Sequence, residues 1–313
     1  MVGGLRIAVI GAGSIGTRHA GNLRTLGVDV LHIPWRDFRP EALNAGLDGV
    51  VIATATPIRR ALIALCAERG LPFYAEKPLT WSPDEARAIA AAAAPVAERS
   101  MVGFMMRYHP ALRDLAARDP SDIYGFSMEI GHDVRQWRAN WRFADSYASQ
   151  AEGGGVLLDL SHELDMACAL FPGLAVTRCD ALGHDGFPGV DMASFVQAAA
   201  PGGPVGRIAM DYLSPVSMRR TLLRGLDHHV EVDFLTPALT VVTPGAAETT
   251  TYTFERNDMF LGAMRDFLAL VAGTQTSGNP LMPRFDRMSD STAFIAAAWA
   301  ARRFVGTVDF DLV

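Results

Sequence analysis

Lysine is all but missing from this 313-residue chain: of its 28 basic residues, 27 are arginine and one, Lys77, is lysine. Cysteine is scarce too. Cys66, Cys168 and Cys179 are odd in number and widely spaced, which excludes a disulfide framework and the paired spacings of a zinc site and fits reduced core thiols. Positive charge is in deficit, with a net charge of −6 and a pI of about 5.7, so the chain is not composed as a general nucleic-acid binder. No stretch reaches the roughly 18 uncharged apolar residues of a membrane span. The N-terminal run "LRIAVI" breaks into glycines too soon for the apolar core of a secretory signal, and the alanine-rich segment 88–97 is short and holds Pro95. A cytoplasmic protein with neither membrane nor nucleic-acid partners is the expectation. Half of the residues are hydrophobic and a fifth are charged, which is globular composition, and 33.7 kDa favours two domains.

The first third reads as a nucleotide-binding sheet. "LRIAVI" (5–10) is a buried parallel strand by composition, "GAGSIG" follows at once, and a helical pattern then runs to Gly27. In this setting Gly11 permits the tight turn, Gly13 lets a pyrophosphate approach the backbone, and Gly16 lets the helix pack on the strand. The amides of Ser14, Ile15 and Gly16 then open the helix toward a phosphate. The second strand, 28–33, ends in "PWRD" rather than in the acidic residue that NAD sites place on the ribose. Arg36 would meet a 2′-phosphate and Trp35 the adenine, so NADP(H) is favoured over NAD(H). A third strand, "GVVIATATP", brings Thr54, Ala55, Thr56 and Pro57 to the same edge as further cofactor contacts.

Lys77 follows the strand "PFYA" within "EKP", so Glu76 and Lys77 stand at the carboxyl end of a parallel strand, where ligands bind in open α/β sheets. A position that needs only charge could be arginine like the others, whereas a lysine amine is compact and shifts its pKa when desolvated. Ser82 is the expected N-cap of a helix with Pro83 at its first position. A boundary is placed in the polar turn "RDPSD", giving a nucleotide-binding domain of 1–121 and a substrate-binding and oligomerisation domain of 122–313 whose last helix packs back on the first.

The second domain opens with an alternating strand, 122–132, and a loop bearing Trp137 and Trp141, which either line a substrate pocket or simply pack. "EGGGVLLDLSHELDMACALFPG" (152–173) sets three glycines before a helix on which Asp159, His162 and Asp165 stand three apart and share a face. A histidine between carboxylates suits a general base near neutral pH, although spacing alone favours a solvated acidic face. Asp159 and His162 are two of the ligands that a metal needs and no third is indicated, so no metal is expected. Six alternating runs between 175 and 243 predict an antiparallel sheet, and helices at about 258–272 and 286–304 close the chain.

Together, "VIGAGSIGTRHAGNL", "VVIATATP", "AEKPL", "VGFMMRYHPAL" and "GGGVLLDLSHELD" resemble, in this order and over essentially the whole chain, the glucose–fructose oxidoreductase/inositol dehydrogenase/MocA family of NAD(P)-dependent oxidoreductases. The resemblance implies an α/β fold: an N-terminal Rossmann doubly wound parallel sheet and a C-terminal α+β domain with an open, mainly antiparallel sheet that forms a dimer or tetramer interface. It implies that Lys77 contacts substrate and cofactor at the reacting centre, that His162 is the acid/base and that Asp159 is its partner or a substrate ligand. The small-molecule substrate would be a sugar, cyclitol or sugar derivative. A cofactor-binding regulator on the same fold would keep the glycine loop without needing the Lys–His pair. Two departures stand out: the family's D-x-x-x-H-x-x-D is one residue shorter here, and Arg59 lies where a histidine is common nearby.

Overall fold

The structure is a computed structural model that describes residues 4–136, 142–309, 311 and 312. In chain order the first elements are β1 (Arg6–Ile10), α1 (Ser14–Thr25), β2 (Asp29–Ile33), β3 (Gly49–Ile52), α2 (Thr56–Glu68), β4 (Phe73–Ala75), α3 (Pro83–Ala93) and β5 (Met101–Val102). They are followed by α4 (Pro110–Ala116), β6 (Ile123–Gly131), α5 (Val156–Asp159), α6 (His162–Leu170) and β7 (Ala175–Gly183). Next come β8 (Ala193–Ala199), β9 (Val205–Asp211), β10 (Met218–Gly225), β11 (His229–Asp233), β12 (Ala238–Thr243) and β13 (Ala246–Thr251). The chain closes with α7 (Arg256–Ala272), α8 (Ser289–Ala300) and β14 (Arg302–Thr307).

Two compact units result, one from the chain up to His109 with Phe254–Thr292, the other from Pro110–Thr253 with the chain from Ala293. The first holds a five-stranded sheet in the order β2-β1-β3-β4-β5 with every pair parallel. Its strands are short apolar runs because helices cover both faces. Ile7, Val9 and Val51 pack with Ala20 and Leu23 of α1 and with Met264, Phe267 and Leu268 of α7. Ser82 caps α3 as its position predicts, its Oγ accepting from the Glu85 amide at 3.3 Å.

The second unit is built on a nine-stranded sheet, β13-β12-β11-β10-β6-β9-β8-β7-β14. Its pairs are antiparallel except β6 with β9 and β7 with β14. Alternation sorts the faces: Val196 and Ala198 of β8 point inward while Phe195 and Gln197 point out. The six predicted runs are β7 to β12. Two elements differ from expectation. The helix predicted over 286–304 stops at Ala300, and 302–307 pairs with β7 as an edge strand. The helix after the glycines is two pieces, α5 and α6, interrupted at Leu160 and Ser161. No helix among the described residues is long and apolar enough to cross a membrane.

Candidate active site

The carboxyl ends of β1, β3 and β4 form one edge of the parallel sheet, and the predicted cofactor residues stand along it. Gly11 has φ +115°, and a Cβ there would overlap the Ala53 carbonyl. A Cβ at Gly16 would overlap the Gly11 carbonyl, so this glycine is what seats α1 against the turn. A Cβ at Gly13 would meet nothing within 4 Å. The outer side of the loop is thus open, the N-terminus of α1 carries no side-chain cap and no acidic residue in its first turn, and Ser14 is exposed with Ile15 half-buried. Free amides and an unopposed helix dipole fit the pyrophosphate of a dinucleotide.

Beyond β2, His32 Nε2 donates to the Gly11 carbonyl at 3.0 Å, pinning the loop to the neighbouring strand. Trp35 lies over Phe38, ring centroids 5.7 Å apart and planes 19° from parallel, and stays 42% exposed. Arg36 is exposed next to it. At the end of β3, Thr54 is buried, Thr56 half-buried, and Ala55 and Pro57 exposed.

Lys77 is half-buried just past β4. Its neighbour Glu76, predicted as a cofactor contact, turns its carboxylate inward to share a 2.7 Å hydrogen bond with His19 Nε2. On the other side the Pro78 carbonyl accepts from Arg59 Nη1, while Arg59 Nη2 donates to the Thr54 carbonyl at 2.8 Å. His19 and Arg59 carry no signal in a single sequence: one is a helix residue after the glycine motif, the other one arginine among 27.

In the second unit, Asp159 ends α5 and is 6% exposed. Its carboxylate accepts from the Tyr147 hydroxyl and, at 2.9 Å, from the Tyr212 hydroxyl, which also reaches the Gly155 carbonyl at 3.3 Å. Burial first, and then the Asp159 charge, push the Tyr212 phenol well above its ordinary 10.0. His132, its ring 5.7 Å from that of Tyr212, is lowered from 6.5 by burial, with Asp159 pulling the other way. Neither tyrosine nor His132 was distinguishable by spacing. His162 opens α6 and is 9% exposed, and Asp165 is fully buried.

The glycines have a local explanation. Gly155 has φ +82°, and a Cβ there would overlap Asp191 Oδ1; one at Gly154 would overlap the Gln150 carbonyl. Asp191 also binds the Leu157 amide at 2.9 Å, Ser194 Oγ at 2.7 Å and the Arg302 guanidinium. What approaches closely is therefore the protein's own carboxylate, which anchors the start of α5. Trp137 and Trp141 lie outside the described residues.

Comparison with known proteins finds partial sequence relatives and similar folds. The chain is 30% identical over 193 residues to a scyllo-inositol 2-dehydrogenase (NAD(+)) of Bacillus subtilis, covering 52% of this chain and 53% of that protein. It is 33% identical over 131 residues to the rhizopine catabolism protein MocA of Rhizobium meliloti, covering 40% and 38%. The matches thus span about half or less of these relatives. A 3-ketoreductase of Actinomadura kijaniata, solved with NADP and TDP-benzene, superposes over 96% of this chain and 99% of that one with a TM-score of 0.77; at 18% identity this shows the fold alone. No protein-family model matches the chain.

Proposed function

We propose, from the premise that the chain belongs to the glucose–fructose oxidoreductase/inositol dehydrogenase/MocA family, that it is an NAD(P)-dependent dehydrogenase acting on a hydroxyl-bearing carbon of a sugar, cyclitol or sugar derivative. The observation that carries this reading is one shared edge: the open glycine loop, Thr54–Pro57 and the sole lysine all stand at the carboxyl ends of strands in a single parallel sheet. The relatives' names supply the substrate class.

Gly11, Gly13 and the amides of Ser14, Ile15 and Gly16 would hold the pyrophosphate, and Thr54–Pro57 the part of the dinucleotide that crosses the sheet. When bound, the nicotinamide supplies the hydride chemistry. In this reading Lys77 donates a hydrogen bond to the oxygen on the reacting carbon and stabilises charge developing there. His162 takes or returns the hydroxyl proton, which an imidazole does near neutral pH. Asp159, held by two phenols, is a substrate ligand or the partner that orients His162. Exposed Arg36 and the free face of Trp35 favour NADP(H) over NAD(H). The outward face of the nine-stranded sheet, with Phe195 45% exposed, suits a homo-oligomer, and the chain would act in the cytoplasm.

Fluorescence titration with NADPH and with NADH tests the cofactor, tighter NADPH binding being expected. Binding of neither by protein freed of retained nucleotide would defeat the dehydrogenase reading. Lys77→Met should bind the nucleotide normally and lose about 100-fold or more in turnover.

A further inference from the structure

Lys77 stands between two buried tethers. On its N-terminal side the Glu76 carboxylate is held by His19, their side chains 8% and 0% exposed. A Cβ at Gly103 would come within 2.9 Å of that carboxylate, so the backbone of the next strand confines Glu76 from the other side. On the C-terminal side, Arg59 is 6% exposed and donates to the Pro78 carbonyl, to the Thr54 carbonyl at 2.8 Å and to Thr56 Oγ1 at 3.1 Å. His19 belongs to α1, the helix that opens from the glycine loop, and Arg59 to α2, the helix that opens from Thr54–Pro57. Buried ionisable pairs are poor devices for stability alone, since apolar groups of the same volume do as well or better. One such pair on one side of the only lysine, and on the other a buried guanidinium donating to two backbone carbonyls, therefore point to a demand on position.

We infer that His19 and Arg59 are positioning residues for Lys77, acting through Glu76 and Pro78. They lock the lysine turn to the two loops of the cofactor edge, so that the three segments keep one relative geometry. The inference rests on the reading of Lys77 as the lysine of the reacting centre. A displacement of about 1 Å at such a centre costs on the order of 100-fold in rate, which is the reason to fix the turn from both ends. Arg59, close to a departure from the family's pattern, thereby acquires a role that no surface arginine would have.

Because Lys77 is the only lysine, protein grown on lysine labelled with 13C at Cε gives a single lysine signal. In the unsubstituted protein that signal should relax as an ordered side chain does; relaxation like that of a freely solvated lysine overturns the inference with no variant needed. In Arg59→Gln and Glu76→Gln the signal should shift, kcat should fall about tenfold or more, and KM for the nucleotide should change less than about threefold. His19→Gln, which keeps a donor for Glu76, should retain more of both than His19→Ala. Folded variants that lose stability yet leave the lysine signal and kcat unchanged would show a structural role only and overturn the inference. Lys77→Met tests the underlying reading separately. Retained turnover there removes the lysine from the chemistry, while the response of the signal to the other variants still decides whether the tethers hold it.

Discussion

Gly13 and Gly16 belong to one motif, yet the space around them differs: a Cβ at the first meets nothing within 4 Å, whereas at the second it overlaps the Gly11 carbonyl. Gly13→Ala should therefore leave stability within about 0.5 kcal/mol of the parent and weaken nucleotide binding about tenfold or more, because only the ligand needs that space. Gly16→Ala should lose about 1–3 kcal/mol in urea unfolding, since α1 must shift off the turn. Unchanged nucleotide affinity in Gly13→Ala would remove the loop from the cofactor site. The close packing at Gly11 and Gly16 was legible in the sequence because backbone sterics depend on residue type and spacing alone. The residues around Lys77 were not. His19 and Arg59 act through buried partners 57 and 19 positions away, and no local pattern encodes such distances. The triple glycine shows a third case: the demand for close approach was readable, but its cause, the Asp191 carboxylate, arrives from 36 residues downstream of Gly155.

Strands with one covered face were read well, since alternation is a direct image of burial; β7 covers the predicted 175–183 residue for residue. β13 escaped because all of its residues, "AAETTT", are exposed and nothing alternates. β14 escaped because α8 ends without glycine or proline, so the helical pattern runs on in the sequence while the chain turns to pair with β7. The break at Leu160–Ser161 likewise undoes the simple three-apart face, and Asp159 takes its partners from β9's end and the preceding loop instead. The contribution of each partner can be measured. Tyr212 is fully buried, so Tyr212→Phe strips a desolvated carboxylate of one donor and should cost about 1.5–3 kcal/mol in urea unfolding. Tyr147 is 53% exposed, and water replaces its hydroxyl; Tyr147→Phe should cost about 1 kcal/mol or less. Equal losses would mean that the Tyr212 phenol is not the main support of Asp159.

Over the whole molecule, the near absence of lysine leaves an alkaline window in which little of the surface charge titrates, because arginine stays protonated to above about pH 12. Buried weak acids then dominate the response. Burial pushes the Cys66 thiol from 9.0 up to about 12, Arg69 opposing; burial and then Asp191 do the same to Cys179, with Arg302 opposing. Burial, and then the charge of Glu76, raise the Tyr74 phenol well above 10.0, as burial and Asp159 raise Tyr212. Each unit thus holds one such thiol and one such phenol. Folded values above unfolded ones mean that the native chain keeps protons the unfolded chain releases. The associated stability is complete below about pH 9 and is lost as pH climbs through 9 for the thiols and 10 for the phenols toward the folded values. Each group subtracts about 1.4 kcal/mol per pH unit once its unfolded form is ionised and its folded form is not. Urea midpoints should accordingly be flat from about pH 7 to 8.5 and fall steeply by about pH 10.5. Cys66→Ala should flatten that fall by one group's share while lowering the neutral-pH midpoint only modestly. A midpoint that holds steady to pH 10.5 would mean that the thiols and phenols ionise in place, and that the two cores admit water where the structure shows none of these four side chains more than 2% exposed.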